Sequence, residues 1–464
     1  MGLLIKNGTV VAAEASTIGD IRCRDGRIVE LGQDLEASTG ETALDASGLY
    51  VLPGGVDPHV HMQLPVAGTV SADDFESGTA AGVAGGTTTI IDFVHPERGQ
   101  DFLDALADRQ REAEAAVCDY GLHMAITWWG DSSAAMMDRC VAAGVPSFKI
   151  YLAYKATVGI DDDVIVEAMA AAHRNGAMLL SHAEHGEMIE HLRDRYAAEG
   201  RTAPRYHALS RPSQLEGEAT RRVTTLAGTA GASLYVVHVT CREAARAVAD
   251  ARRLGWPVHG ETCPQYLLLD ESAYEKPDFE GATYVIAPPL RPKEHQAELW
   301  AALGDGTLDA VGSDHCPFTM EQKRLGEADF RLIPGGGAGI EHRMSLLYTH
   351  GVGKGRIDLH RFVDLVSTRP AKLFGLYPRK GSITLGADAD LVLWDPEASG
   401  TLSAATHHHR TDRSLYEGFE VKGLPSIVVV GGSVRFADGT LDVNRGDGRF
   451  LQRALPETDS SSLS

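Results

Sequence analysis

Two histidines stand one residue apart in Gly54-Gly55-Val56-Asp57-Pro58-His59-Val60-His61, directly after the apolar run Leu49-Tyr50-Val51-Leu52. Side chains on an extended strand alternate with a period of two, so both imidazoles point to one side and can reach one metal ion. The other half of such a site must come from elsewhere in the chain. Four more apolar or β-branched segments each end in one residue able to bind a metal or bridge two. They are Val145-Pro-Ser-Phe-Lys149, Ala177-Met-Leu-Leu-Ser-His182, Leu234-Tyr-Val-Val-His238 and Leu308-Asp-Ala-Val-Gly-Ser-Asp314.

Four imidazoles and a carboxylate suit zinc and related divalent ions. A catalytic zinc usually takes three protein ligands, so five are too many for one ion and about right for two. A pair of ions about 3.5 to 4 Å apart can activate water and polarise a carbonyl at neutral pH, and the pair needs a bridging group. Lys149 is the odd member, because an ammonium is repelled by cations. A buried lysine loses its proton readily, and the neutral amine can add carbon dioxide to become a carbamate, in effect a long carboxylate able to span both ions. Lone histidines more often pack or cap, and His123, His173, His191, His295 and His342 are read that way.

The elements that must position these groups alternate from His59 onward. Strands end near His61, Val94, Thr127, Lys149, His182, His238, Thr262 and Asp314. Helical patterns lie between them near 72–84, 101–117, 132–143, 161–174, through to 231, 242–254 and 292–303, with apolar residues at helical spacing in 161–174. Eight β/α units in about 260 residues are the number and size of a (β/α)8 TIM barrel, in which chemistry sits at the C-terminal strand ends. The ligand candidates fall at the ends of strands one, four, five, six and eight.

Before the barrel, residues 1–52 hold short β-prone pieces broken by Asn-Gly and Asp-Gly turn signals. After a closing helix near 359–374, β-prone pieces return. The expected organisation is a barrel over 53–375, a small β-sandwich from 1–52 and 376–445, and a tail over 446–464. His407-His408-His409 is read as a loop.

The 43 Lys and Arg residues face 64 Asp and Glu, a formal charge of -21. That balance argues against nucleic acid or anionic membrane as the main partner. The six cysteines lack CxxC spacing, which favours free thiols in a reducing compartment. With neither a signal-peptide core nor an apolar run of about 18 residues, a cytoplasmic location is expected.

The motifs His59-Val-His61, Ser147-Phe-Lys149, Ser181-His-Ala-Glu184, Val237-His-Val239, Gly260-Glu-Thr-Cys-Pro-Gln-Tyr266, Ala287-Pro-Pro-Leu-Arg291, Ser313-Asp-His-Cys-Pro-Phe318 and Gly339-Ile-Glu341 resemble the hydantoinase and dihydropyrimidinase family of the amidohydrolase superfamily. The likeness runs from Leu3 to about Gly439. It implies hydrolytic opening of a cyclic amide or imide ring by a metal-bridging hydroxide, with two divalent ions, usually zinc. His59, His61 and Asp314 would hold one ion, His182 and His238 the other, and carbamylated Lys149 would bridge them. Asp314 would also move the proton to the leaving nitrogen, and Tyr154 would hydrogen-bond the oxyanion.

Where the family places a serine before Pro-Pro and an asparagine in a Gly-rich loop to hold the ring amide through backbone groups, this chain has Ala287 and Gly335. Leu64, Tyr151 and Val158 match the loops that contact the ring substituent, and the small Val158 suggests room there. The family also implies a homotetramer. An allantoinase or dihydroorotase is the alternative. Dihydroorotases carry an arginine two residues after the second histidine, and Gln63 stands there instead. A non-catalytic assembly module of the same fold is the more distant alternative, and such relatives lose the ligands that this chain retains.

Overall fold

The computed structural model describes residues 2–456. Eight parallel strands follow one another in chain order around a barrel: Gly55–Val60, Thr87–Val94, Asp119–Ala125, Ser147–Tyr151, Met178–His182, Ser233–Val236, Val258–Thr262 and Ala310–Val311. All are enclosed by helices, which is why they read as nearly unbroken apolar runs rather than alternating ones. The eighth strand is only two residues long, so the seam with the first is closed by the chain just beyond it. Asp314 N donates to His59 O at 2.9 Å, and His61 N donates to His315 O at 2.8 Å. These closing bonds carry three of the expected site residues.

The helices fall within a few residues of the expected ranges, with Asp162–Asn175 over the stretch whose apolar spacing is helical. Phe75–Ala84 starts at an Asp74 N-cap, and Phe102–Ala113 at an Asp101 N-cap. The long stretch before the His238 strand divides into Gly186–Ala198, Arg205–Leu209 and Ser213–Ala230, and the closing helical stretch is interrupted by a π-turn over Asp364–Thr368.

The two chain ends meet in one nine-stranded sheet. Tyr50–Pro53 pairs with the first strand (Gly2–Val11) on one side and with Leu391–Thr401 on the other, so the first and last portions of the chain share one ladder. Leu3, Ile5, Ile21, Val51, Leu391, Leu393 and Val429 build its separate apolar core.

Residues 446–455, expected as part of a tail, instead pack against the barrel's underside. Tyr120 N donates to Arg449 O at 3.0 Å, Leu451 N donates to Tyr120 O at 2.7 Å, and Leu451 is fully buried. Arg453 reaches Ser147 Oγ at 2.6 Å and Leu122 O at 2.5 Å beneath the strands. A polar, loop-like composition hid a segment whose few apolar residues and one arginine fill specific gaps. The remainder of the expected tail, 457–464, lies outside the described residues.

Candidate metal centre

His59 is in the first barrel strand and His61 immediately follows it. Asp57 Oδ1 accepts from both His59 N (3.2 Å) and Ser313 N (3.1 Å), which ties this strand to the loop carrying Asp314. Past His61, the Asp92 carboxylate accepts from Met62 N at 2.7 Å and is itself clamped by Arg109. The two imidazoles therefore rest on a rigid base.

Both converge on one oxygen. His59 Nε2 and His61 Nε2 each lie 3.3 Å from Asp314 Oδ1. Ligand bonds of 2.0 to 2.2 Å at tetrahedral angles put neighbouring ligand atoms about 3.4 Å apart, so this spacing fits donors around one ion. His59 Nε2, the atom that faces Asp314, is a buried nitrogen with no hydrogen-bond partner among the described residues. Such an orphaned atom is costly to bury unless something binds it. His59 Nδ1 is taken by Glu261, which leaves Nε2 as its free donor atom and sets the tautomer.

A second pair stands alongside. His182 Nδ1 and His238 Nε2 are 3.0 Å apart, and the His59 and His238 rings stack with centres at 5.3 Å. Glu184 takes His182 Nε2 at 2.7 Å and is fixed by Arg211 at 2.6 Å. Burial alone would raise the Glu184 carboxyl, but Arg211 and His182 hold it down at about 2. Burial pushes His59 and His238 well below the usual imidazole range and lowers His182, so these rings offer neutral lone pairs at pH 7.

Lys149 lies in the fourth strand, with its Nζ 4.9 Å from the Phe93 ring centre. It is 1% exposed, and burial brings its ammonium down to about 8. The donor set, the orphaned nitrogen and this weakened lysine fit a binuclear divalent-metal centre.

One cavity of about 520 Å³ gathers His59, His61, Lys149, His182, His238 and Asp314 with Tyr154, Ala287, Gly335, Leu64, Tyr151 and Val158. Every residue assigned to the site from the sequence lines it. Tyr154 (φ 60°), His238 (φ 38°) and Asp314 (φ 52°) hold left-handed backbone, uncommon for residues with a side chain and typical of sites where position outranks comfort.

Residues 50–435, which span the barrel and much of the flanking sheet, match the amidohydrolase family model. A D-hydantoinase of Geobacillus stearothermophilus is 47% identical over 457 residues, covering 98% of this chain and 97% of the relative. Among solved structures, a dihydropyrimidinase from Brevibacillus agri superposes with a TM-score of 0.97 at 44% identity, covering 99% of this chain and 100% of that one. An L-hydantoinase from Arthrobacter aurescens superposes at 0.88 with 29% identity, covering 97% and 99%.

The chain belongs to the hydantoinase and dihydropyrimidinase family of amidohydrolases. This family is metal-dependent, and the His59, His61 and Asp314 group offers the metal a place to bind.

Within this family member, sequence reasoning left three groups without a role. His95 follows the second strand, and its Nε2 lies 2.9 Å from Tyr151 OH; an apolar strand ending in an imidazole was the same signal that found the others. Glu261 and Glu184 sat inside quoted motifs, but nothing in their spacing announced that they orient His59 and His182. Of the histidines read as packing groups, His123 bridges Ser147 Oγ and Pro58 O below the site, and His173 accompanies a helix end at Gly231 O.

Proposed function

We propose that this protein hydrolyses the ring amide of hydantoins and dihydropyrimidines at two divalent ions, zinc by the nature of the donor set. The observation that carries this reading is the convergence of His59 and His61 on Asp314 Oδ1 beside the His182 and His238 pair, with a weakened Lys149 in the same cavity. The ions would supply an activated water and polarise the ring carbonyl.

The chain's own residues supply the rest. Asp314 sits where it can receive a proton from the water and return it to the leaving ring nitrogen. Tyr154, its phenol pushed by burial up to about 12, stays protonated and can donate to the developing oxyanion. Backbone groups near Ala287 and Gly335 would hold the ring amide. A side chain at Gly335 would meet no atom nearer than Ala287 Cβ at 4.0 Å, so its absence leaves space beside the ring. Leu64, Tyr151 and Val158 would border the substituent.

Burial that draws Lys149 down to about 8 also supports its carbamylation, and a carbamate would serve both ions. Residues 53–375 would then carry the chemistry, and the sheet from both ends would frame it. A homotetramer in a reducing, cytoplasmic setting agrees with the family and with six buried free cysteines.

The test is a hydrolysis panel of dihydrouracil, hydantoin, both enantiomers of 5-phenylhydantoin, allantoin and dihydroorotate, with zinc and bicarbonate present. Ring opening of the first three compounds is expected. Activity confined to allantoin or dihydroorotate overturns the substrate assignment. An intact-mass or density measurement showing plain lysine beside bound metal removes the carbamate.

A further inference from the structure

A second group of metal-capable side chains lies outside the substrate cavity, where the loop containing His407-His408-His409 meets the turn ending in Glu341. Glu341, His407 and His409 each bring a ligand atom within 4.8 Å of the others, the same spacing that His59, His61 and Asp314 meet. The carboxylate is fixed in place, since Glu341 accepts from His408 N and from His408 Nδ1, both at 2.8 Å.

The imidazoles are left open. His409 has a side chain only 1% exposed, yet neither of its ring nitrogens has a hydrogen-bond partner among the described residues. His407 Nε2 and the Nε2 of neighbouring His342 are likewise buried and without one. Four orphaned imidazole nitrogens gather in this one place, and each forfeits a hydrogen bond it would make in water. His409 Nε2 stands 3.7 Å from Glu341 Oε2, too long for a hydrogen bond and close to the separation of about 3.4 Å between donors on a shared zinc. Coordination through His407 Nε2 places that ring's proton on Nδ1, at the expense only of a long 3.3 Å contact from His409 N.

We infer that Glu341, His407 and His409 form a second, structural metal site for a borderline-soft divalent ion such as zinc, separate from the strand-end centre, with His342 adjacent. Two histidines and a glutamate hold zinc in known three-ligand sites, with a water completing the tetrahedron, and imidazole selects zinc, nickel and copper over magnesium or calcium. The ion would pin the 407–409 loop to the stretch 335–341, whose Gly335 and Gly336 line the substrate cavity. Its role is to hold that wall.

The site is tested by counting metal in the full-length chain after chelation, zinc reloading and dialysis. His407 is half-buried, and His407→Gln keeps a polar side chain of similar length there. In a Lys149→Ala/Asp314→Ala background, which weakens the strand-end centre but leaves its four imidazoles, adding His407→Gln should still remove one zinc per molecule. His407→Gln alone should lose one equivalent, with kcat kept and KM raised as the 335–341 wall loosens, a result that also separates this site from the proposed catalytic one. X-ray absorption should show imidazole on the zinc that the Lys149→Ala/Asp314→Ala chain holds and that His407→Gln removes. Equal zinc content with and without His407→Gln, or an absorption spectrum without imidazole, overturns the inference.

Discussion

The mouth and the floor of the barrel both bury charge, and they do it in opposite ways. At the floor, Lys380 is 2.7 Å from Asp119 and 2.9 Å from Asp388 and also binds Asp390, while Arg449 binds Asp119 in turn. Three carboxylates hold the Lys380 ammonium well above its ordinary value despite burial. At the mouth, Lys149 is brought down to about 8, and imidazole nitrogens are left without partners. At the floor buried charges of opposite sign answer one another, whereas at the mouth imidazoles and a weakened amine face one cavity. Asp119, Asp388 and Asp390 have metal-like spacing too, but a lysine already occupies their centre.

This contrast breaks most sharply at Asp314. Asp314→Asn would remove the proposed proton carrier and weaken a proposed ligand, and kcat on hydantoin or dihydrouracil should fall by about 10³-fold or more while thermal stability stays close to the parent. A variant retaining most of its turnover would place the proton transfer elsewhere. The converse change is Lys380→Met, which takes the shared cation from three buried carboxylates and leaves Asp390 without one. It should cost about 3 to 5 kcal/mol in denaturant unfolding, with kcat of the folded fraction unchanged; a mild loss would mean that the floor is less dry than its burial suggests.

A smaller effect is expected from Glu261→Gln. Glu261 binds His59 Nδ1 and accepts from Tyr235 OH at 2.9 Å, and burial lifts its carboxyl to about 7. Losing that orienting charge should lower metal affinity by about 10- to 100-fold, read by chelator competition, with activity restored in excess zinc. Lack of rescue would assign Glu261 a part in the chemistry itself.

The smallest effect concerns pH. His207 Nε2 donates to Ile286 O at 2.7 Å, and burial lowers its imidazole to about 3. Between that value and about 6.5 the unfolded chain binds a proton that the folded chain refuses, so stability rises with pH across this window and is lost on acidification. His207→Asn should flatten the slope of unfolding free energy between about pH 6.5 and 4. An unchanged slope would show that other buried histidines dominate it.

Much of the mouth was legible in the sequence because a parallel strand buried on both faces is an unbroken apolar run, and the residue that ends it is visible as a break in type. Lys149, His182, His238 and Asp314 could each be found that way. The floor was not legible. Asp119, Lys380, Asp388 and Asp390 are brought together only by the meeting of the barrel with the sheet, and no local pattern marks a lysine that will sit among three carboxylates. The segment 446–455 escaped for the same reason, since its contacts with Tyr120 and Ser147 are with residues far earlier in the chain, 306 positions in the case of Arg453 and Ser147.

Because Leu451 and Arg453 close the underside of strands completed hundreds of residues earlier, and the sheet waits for Leu391–Thr401 and Glu420–Val430, a chain emerging from the ribosome cannot finish either layer until nearly all of it has been made. Nascent intermediates must therefore carry uncovered apolar strand edges for most of translation, and a product stopped short of residue 449 should depend on chaperones or be degraded.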